Sequence, residues 1–253
     1  MKPTCYAALF ATLLLIVSQS RGQITLSLPG YEQRFDALSS GLPLGWAVYS
    51  GASVSSLGIE TTFTSSPTTW SNTSTVFRNI ASFDGSSPTD NTAAQSANLD
   101  RALGWRPNNA STRNGAVTFH IANTVGLRDF GVSVTLFTGN NVGDTNQSYS
   151  FEYRLGDIGD FVAIGTYTTS APFDPVELSA SPFTLSVLDD QSNAVYFRIR
   201  GTTPSGTTSL DTLGIDNFSL TYSAVPEPST YAALFGGLSL VGAILYRRRR
   251  KQV

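Results

Sequence analysis

Short runs in which apolar and polar residues take turns constrain this chain more than any other feature. Val117, Phe119 and Ile121 alternate with Thr118, His120 and Ala122; Phe130, Val132, Val134 and Leu136 alternate with small or polar neighbours apart from Phe137. Phe151, Tyr153 and Leu155 face away from Glu152 and Arg154, Val195, Phe197 and Ile199 oppose Tyr196, Arg198 and Arg200, and Phe218, Leu220 and Tyr222 repeat the pattern near the end. A period of two belongs to strands with one buried face, and such strands must pair into sheets that bury it against another layer. Turn-forming clusters at Gly139–Gly143, Gly156–Gly159, Asp189–Asn193 and Pro204–Gly206 separate the runs. The expected class is all-β, a β-sandwich of jelly-roll-like form. The stretch from Ser65 to Thr112, polar above all between Ser82 and Asn98, reads as a long surface excursion.

The two ends do not belong to that domain. Met1–Thr4 carry one Lys, Cys5–Val17 form a short apolar run, and Ser18–Gln23 are small and polar, the layout of a secretory signal helix over 1–22. Cleavage is expected after Gly22, with Ser20 as a close alternative. At the other end Tyr231–Tyr246 is free of charge and Arg247, Arg248, Arg249, Arg250 and Lys251 follow at once. Sixteen helical residues reach about 24 Å against a hydrocarbon core of roughly 30 Å, so the span needs Ser229, Thr230 and the arginine stems to complete it. The cationic cluster stops transfer and belongs in the cytoplasm, which leaves the domain outside. The predicted organisation is a signal peptide at 1–22, a sandwich ectodomain at 23–224, and a tail at 225–253 with one transmembrane helix at 230–246 and a basic end at 247–253.

Charge and cysteine usage exclude several classes of function. Residues 23–228 hold nine basic and eighteen acidic side chains, a formal charge of −9, and no Lys. Such a surface repels phosphate backbones, so no nucleic-acid partner is expected. Cys5 lies in the leader, so the mature domain has no disulfide, catalytic thiolate or cysteine-bound metal.

Val225, Pro226, Glu227, Pro228 and Ser229, the short apolar run and the terminal arginines together resemble the PEP-CTERM sorting signal of Gram-negative bacteria. The resemblance implies recognition of Pro226, Glu227 and Pro228 by an exosortase-like protease, transient anchoring in the inner membrane, and delivery to the cell surface or an exopolysaccharide matrix. Two prolines about Glu227 hold the chain extended, the shape a protease takes. The opening YEQRFDAL, LPLGW, the central RALGW and the closing LGIDNFSLTYS resemble jelly-roll ectodomains that precede such tails, and carbohydrate-binding modules whose first and last strands pair.

The sequence shows little chemistry. His120 is the one histidine, with no nucleophile elbow to serve, and reads as a sheet-surface residue. Asp189 with Asp190, and Asp157 with Asp160, read as turn formers, not as a glycosidase pair, and the domain is expected to be no enzyme. Oxygen-rich loops at Asp84–Asn91 and Asn140–Asp144 could hold a structural Ca2+. For stacking on a sugar the candidates are Trp46, Trp70 and Trp105, with Tyr49 and Tyr167; Trp46 and Trp105 read as core, and Trp70, in the polar run TTWSNTS, is the best candidate for an exposed aromatic. The leading function is a non-catalytic surface or matrix component associated with exopolysaccharide; the alternatives are a carbohydrate-binding lectin and, behind it, a polysaccharide hydrolase.

Overall fold

The structure, a computed structural model, describes residues 22–72, 74, 76–87, 90–139, 147–169, 175–181, 184–202, 211–226, 232, 235–242 and 247. Its strands are β1 (Gly30–Gln33), β2 (Trp46–Ser50), β3 (Ile59–Glu60), β4 (Phe63–Thr68), β5 (Phe77–Ala81), β6 (Arg101–Trp105), β7 (Ala116–Ile121), β8 (Leu127–Thr138), β9 (Ser148–Leu155), β10 (Val162–Thr168), β11 (Val176–Ala180), β12 (Val195–Gly201) and β13 (Leu213–Ala224). Two short helices, α1 (Thr92–Ala97) and α2 (Ala110–Arg113), flank β6. Among the described residues, one sheet runs β11-β8-β13-β6-β5-β4 with β1 added beside β13, and the other runs β10-β9-β12-β7-β2-β3. The chain is a β-sandwich, as the alternating runs require.

Each alternating run puts its apolar face between the sheets. Val117, Phe119, Ile121, Val134, Leu136, Phe151, Val195, Phe197, Ile199, Phe218 and Leu220 are all buried in one core. Phe218 of β13 joins the layers: its ring centroid lies 5.2 Å from Trp46, 5.2 Å from Phe119 and 5.9 Å from Phe197, all on the opposite sheet. Such edge and tilted contacts add to the area that the rings bury. Trp46 and Trp105 are core residues, and the first and last strands pair, Tyr31 opposite Leu220.

The segment from Ser65 to Thr112 departs from the expected surface excursion. It supplies β5, β6 and most of β4, three neighbouring strands of the seven-stranded sheet, and every residue of β5 and β6 is buried. Polar residues sit inside because their groups are bonded: Arg78 donates to Trp70 O and Thr212 Oγ1, Asn79 Nδ2 to Ser65 O, and Arg101 Nε to Asn79 Oδ1. Hydrogen bonds offset part of the desolvation that burial imposes on these groups, and such residues erase the period of two that marks the other strands.

Candidate functional site

The outer face of the six-stranded sheet is ordered in rows by the strand register. Arg154 of β9 lies opposite Tyr196 of β12, Tyr196 opposite His120 of β7, and the His120 amide donates to Gly45 O just before β2. In the next row Glu152, Arg198, Thr118 and Ala47 stand side by side, and in the third Ser150, Arg200, Ala116 and Tyr49. The β9 and β12 half therefore carries large charged side chains. The β7 and β2 half carries Gly, Ala and Thr between His120 at one end and Tyr49 at the other, which leaves a trough.

The segment 51–58 lies along the charged half and forms one wall of the trough. Arg198 donates to Ser56 O and Val54 O, and Arg154 donates to Ser55 O. Arg198 also meets Glu152 at 2.5 Å, and its guanidinium lies 3.4 Å from the centre of the Phe161 ring. Burial pulls the Arg198 guanidinium down to about 10, against the pull of Glu152. The resulting groove has a volume of about 710 Å³, within the range of small-ligand sites. Gly45, Ala47 and Thr118 line its floor, and Tyr49, His120 and Tyr196 bring aromatic rings to it; Gln23, Thr25, Leu57 and Glu60 complete the rim.

His120 and Tyr196 are stacked, centroids 4.1 Å apart at 15°. Tyr196 is held by its hydroxyl, which donates to Asp157 Oδ1 at 2.6 Å, and by the Arg154 guanidinium 5.0 Å from its ring centre. Burial lowers the His120 pKa below that of an ordinary histidine, with Arg154 acting in the same direction and Asp157 opposing. The imidazole is therefore neutral at pH 7. Its Nε2 is buried and has no hydrogen-bond partner among the described residues. A wall of this kind offers aromatic ring surface to an uncharged, hydroxyl-rich ligand. His120 lies on the polar side of its strand, as the sequence indicates, but it lines this groove rather than an ordinary patch of sheet.

Trp70 is a correction. It is 1% exposed, packed with Ile80, Ala81, Ala102 and Phe137, and its Nε1 donates to Ala81 O at 2.8 Å. The polar neighbours that made it look exposed bond locally or inward: Thr69 with Ser71, Asn72 with Thr68, and the Trp70 carbonyl with Arg78. Its ring cannot stack on a sugar. Tyr167 is buried as well. Asp189 and Asp190 accept the amides of Asp129 and Gly126, a turn role, whereas Asp157 holds Tyr196.

In the loop Asp84–Asn91, Asp90 accepts the Ser87 amide and Asn91 caps α1 through the Ala94 amide. Asn140–Asp144 lies outside the described residues. Among the described residues no group of three or more His, Cys, Asp or Glu side chains is placed to hold a metal ion. Val225 and Pro226 are half-buried beside the end of β13, whereas Glu227, Pro228, Ser229, Arg248, Arg249, Arg250 and Lys251 lie outside the described residues. Residues 235–242 are helical and exposed, and no helix among the described residues is long and apolar enough to cross a membrane.

Several solved structures align with the chain at low identity and at TM-scores near 0.4. The C-terminal family 22 carbohydrate-binding module of Clostridium thermocellum xylanase 10B is 12% identical, with 78% of this chain and 95% of that one aligned at a TM-score of 0.40. The module TmCBM61, solved with β-1,4-galactotriose, is 10% identical over 80% of this chain and 100% of its own, at 0.42. The CBM22-2 xylan-binding domain from Paenibacillus barcinonensis is 10% identical over 76% and 99%, at 0.41. No curated protein sequence matches the chain. The model of the PEP-CTERM protein-sorting motif matches residues 224–251, covering the Pro-Glu-Pro string, the apolar run and the basic end together. The chain is thus an exported protein that carries a PEP-CTERM sorting motif directly behind a jelly-roll-like β-sandwich.

Proposed function

We propose that the chain is a non-catalytic, adhesive component of the cell surface or extracellular matrix of a Gram-negative bacterium, associated with exopolysaccharide. In this reading residues 1–22 are removed on export, the sandwich at 23–224 stands outside the inner membrane, and an exosortase-like protease cuts the tail at 225–253. Cell fractionation of the native host is expected to recover the sandwich without its tail. Recovery of the full-length chain alone, in the inner membrane, would refute processing.

The groove carries the adhesive part of this reading. Its small-residue floor beside the neutral His120–Tyr196 stack fits a saccharide ring, which presents C–H groups to an aromatic face and hydroxyls to Gln23 and Glu60. A lectin-like role follows from the same geometry and is preferred to hydrolysis. Glycoside cleavage uses two carboxyl groups across the scissile bond, and among the described lining residues Glu60 is the one carboxylate. His120→Ala and Tyr49→Ala are each expected to weaken retardation in affinity gels cast with the host's exopolysaccharide by about 10- to 100-fold, as loss of a buried anchor does, with little change in melting temperature. Unchanged retardation in both variants would remove the groove from the function.

A further inference from the structure

The last strand does not stop before the tail begins. Ala224 is paired with Leu127, the Val225 amide donates to Gly126 O at 2.8 Å, and the sorting-motif match starts at residue 224. The first motif residues are therefore part of the sheet, with no linker between domain and tail. Pro226 has no amide to donate, so the ladder ends there. Five residues take the chain from Pro226 to Tyr231, where the apolar run begins, a reach of at most about 18 Å. With the apolar run embedded as proposed above, this end of the sandwich stands within that distance of the bilayer and of an enzyme that cuts the tail.

The same end is firmly built. Loops 123–129 and 186–191 are cross-linked: Asp190 Oδ1 accepts the Gly126 amide at 2.8 Å, the Asp190 amide donates to Leu127 O at 2.8 Å, and Asp189 Oδ1 accepts the Asp129 amide at 3.0 Å. Ser223 of β13 donates to Asp129 Oδ2 at 2.6 Å, which ties the motif-bearing strand to this platform. Val125 and Val187 are 58% and 47% exposed on the two loops, beside the exposed Asp190 and the exposed Arg128–Asp129 ion pair. Two apolar side chains in a rim of three carboxylates and one arginine, acidic on balance, are a poor fit for anionic headgroups and a good fit for a protein surface with an apolar centre and a polar rim.

We infer that the membrane-embedded processing enzyme docks on this platform and reads it together with the Pro-Glu-Pro string. The inference rests on the reading that the tail is processed. A motif whose first residue, Val225, is bonded at the end of a strand gives up less freedom on binding than one on a free linker, so platform and motif act as one composite substrate.

The test follows release of the domain from full-length chains in the native host. One variant carries a flexible Gly/Ser linker of roughly twelve residues between Ala224 and Val225, which keeps β13 and all five motif residues intact. A second combines Val125→Asp with Val187→Asp. Each is expected to slow release about tenfold or more while leaving the melting temperature of the sandwich unchanged. Release of the linker variant at the normal rate or faster overturns the docking surface and leaves an autonomous tag. A chain with Pro226, Glu227 and Pro228 all replaced by Ala separates the two layers. If it stays in the membrane while the linker variant is released normally, docking alone fails; if it too is released normally, the processing reading fails and the inference with it.

Discussion

Glu152→Leu is expected to destabilise the sandwich by about 3–5 kcal/mol, the usual effect of stripping one partner from a buried ion pair. Glu152 accepts from Arg198 at 2.5 Å and Arg200 at 2.9 Å, and the Arg198 side chain is fully buried. With the carboxylate gone, Arg198 keeps its bonds to Ser56 O and Val54 O and its contact with Phe161, but its charge loses the one carboxylate bonded to it. For a domain of this size the loss corresponds to a fall in melting temperature of roughly 6–20 °C. Arg200 contributes less, because part of it reaches water and exposed pairs are weak. The double variant Glu152→Leu with Arg198→Met removes both charges and is expected to recover most of the loss, since apolar replacement of a whole buried pair is often neutral or better. If the single variant melts within about 2 °C of the parent, the network does not hold segment 51–58 in place. Of the two variants the double one alone removes the Arg198 bonds to Ser56 O and Val54 O, so a change in saccharide retention through Leu57 at the groove is expected there and not in the single variant.

The strands that face one layer only were legible from the sequence because their periodicity survives folding. Val195, Phe197 and Ile199 point inward, while Tyr196, Arg198 and Arg200 point to the other side. Two kinds of information were hidden. Strand β5, Phe-Arg-Asn-Ile-Ala, is buried throughout and pairs in parallel with β4, so its polar residues are satisfied by partners such as Thr212, which is far away in the chain. No local pattern announces such a strand. The groove was hidden because it depends on register: Gly45, Thr118 and Tyr196 become neighbours only after β2, β7 and β12 pair. The signal that could have found it was the lone His120 on the polar side of its strand, opposite a Tyr on β12. Trp70 failed for the converse reason, because polar neighbours were read as solvent exposure when they serve hydrogen bonds around a buried ring. The tail was the most legible part, since its order of proline string, apolar run and cations is read along the chain and needs no folded partner.

Stability is expected to fall as the pH rises from 4 to 8, and Asp216 is the main cause. This carboxyl is 2% exposed; its Oδ2 accepts from Ser82 at 2.6 Å, and its Oδ1 has no partner among the described residues. Burial pushes its pKa up to about 8, and the nearby Asp100 and Asp36 act in the same direction against the Ser82 hydrogen bond and Arg34. Asp100, in a less buried position beside Asp36 and Asp84, is itself raised to about 6. The folded pKa of Asp216 lies above its value of 3.8 in an unfolded chain. The folded state therefore keeps a proton that the unfolded state releases, so its stabilising effect is complete below about pH 4 and is lost as the pH climbs to 8. At 1.36 kcal/mol for each pH unit, the loss over that window is on the order of 4–5 kcal/mol. Asp216→Asn keeps an acceptor for Ser82 and cannot ionise, so it should match the parent near pH 4 and exceed it increasingly toward pH 8. His120, whose lowered pKa favours the fold as the pH rises through its own range, is present in both chains and cancels from the comparison. Thermal melts of the two proteins at pH 4, 6 and 8 decide the matter, and parallel curves would mean that Asp216 ionises in the fold as readily as it does in water.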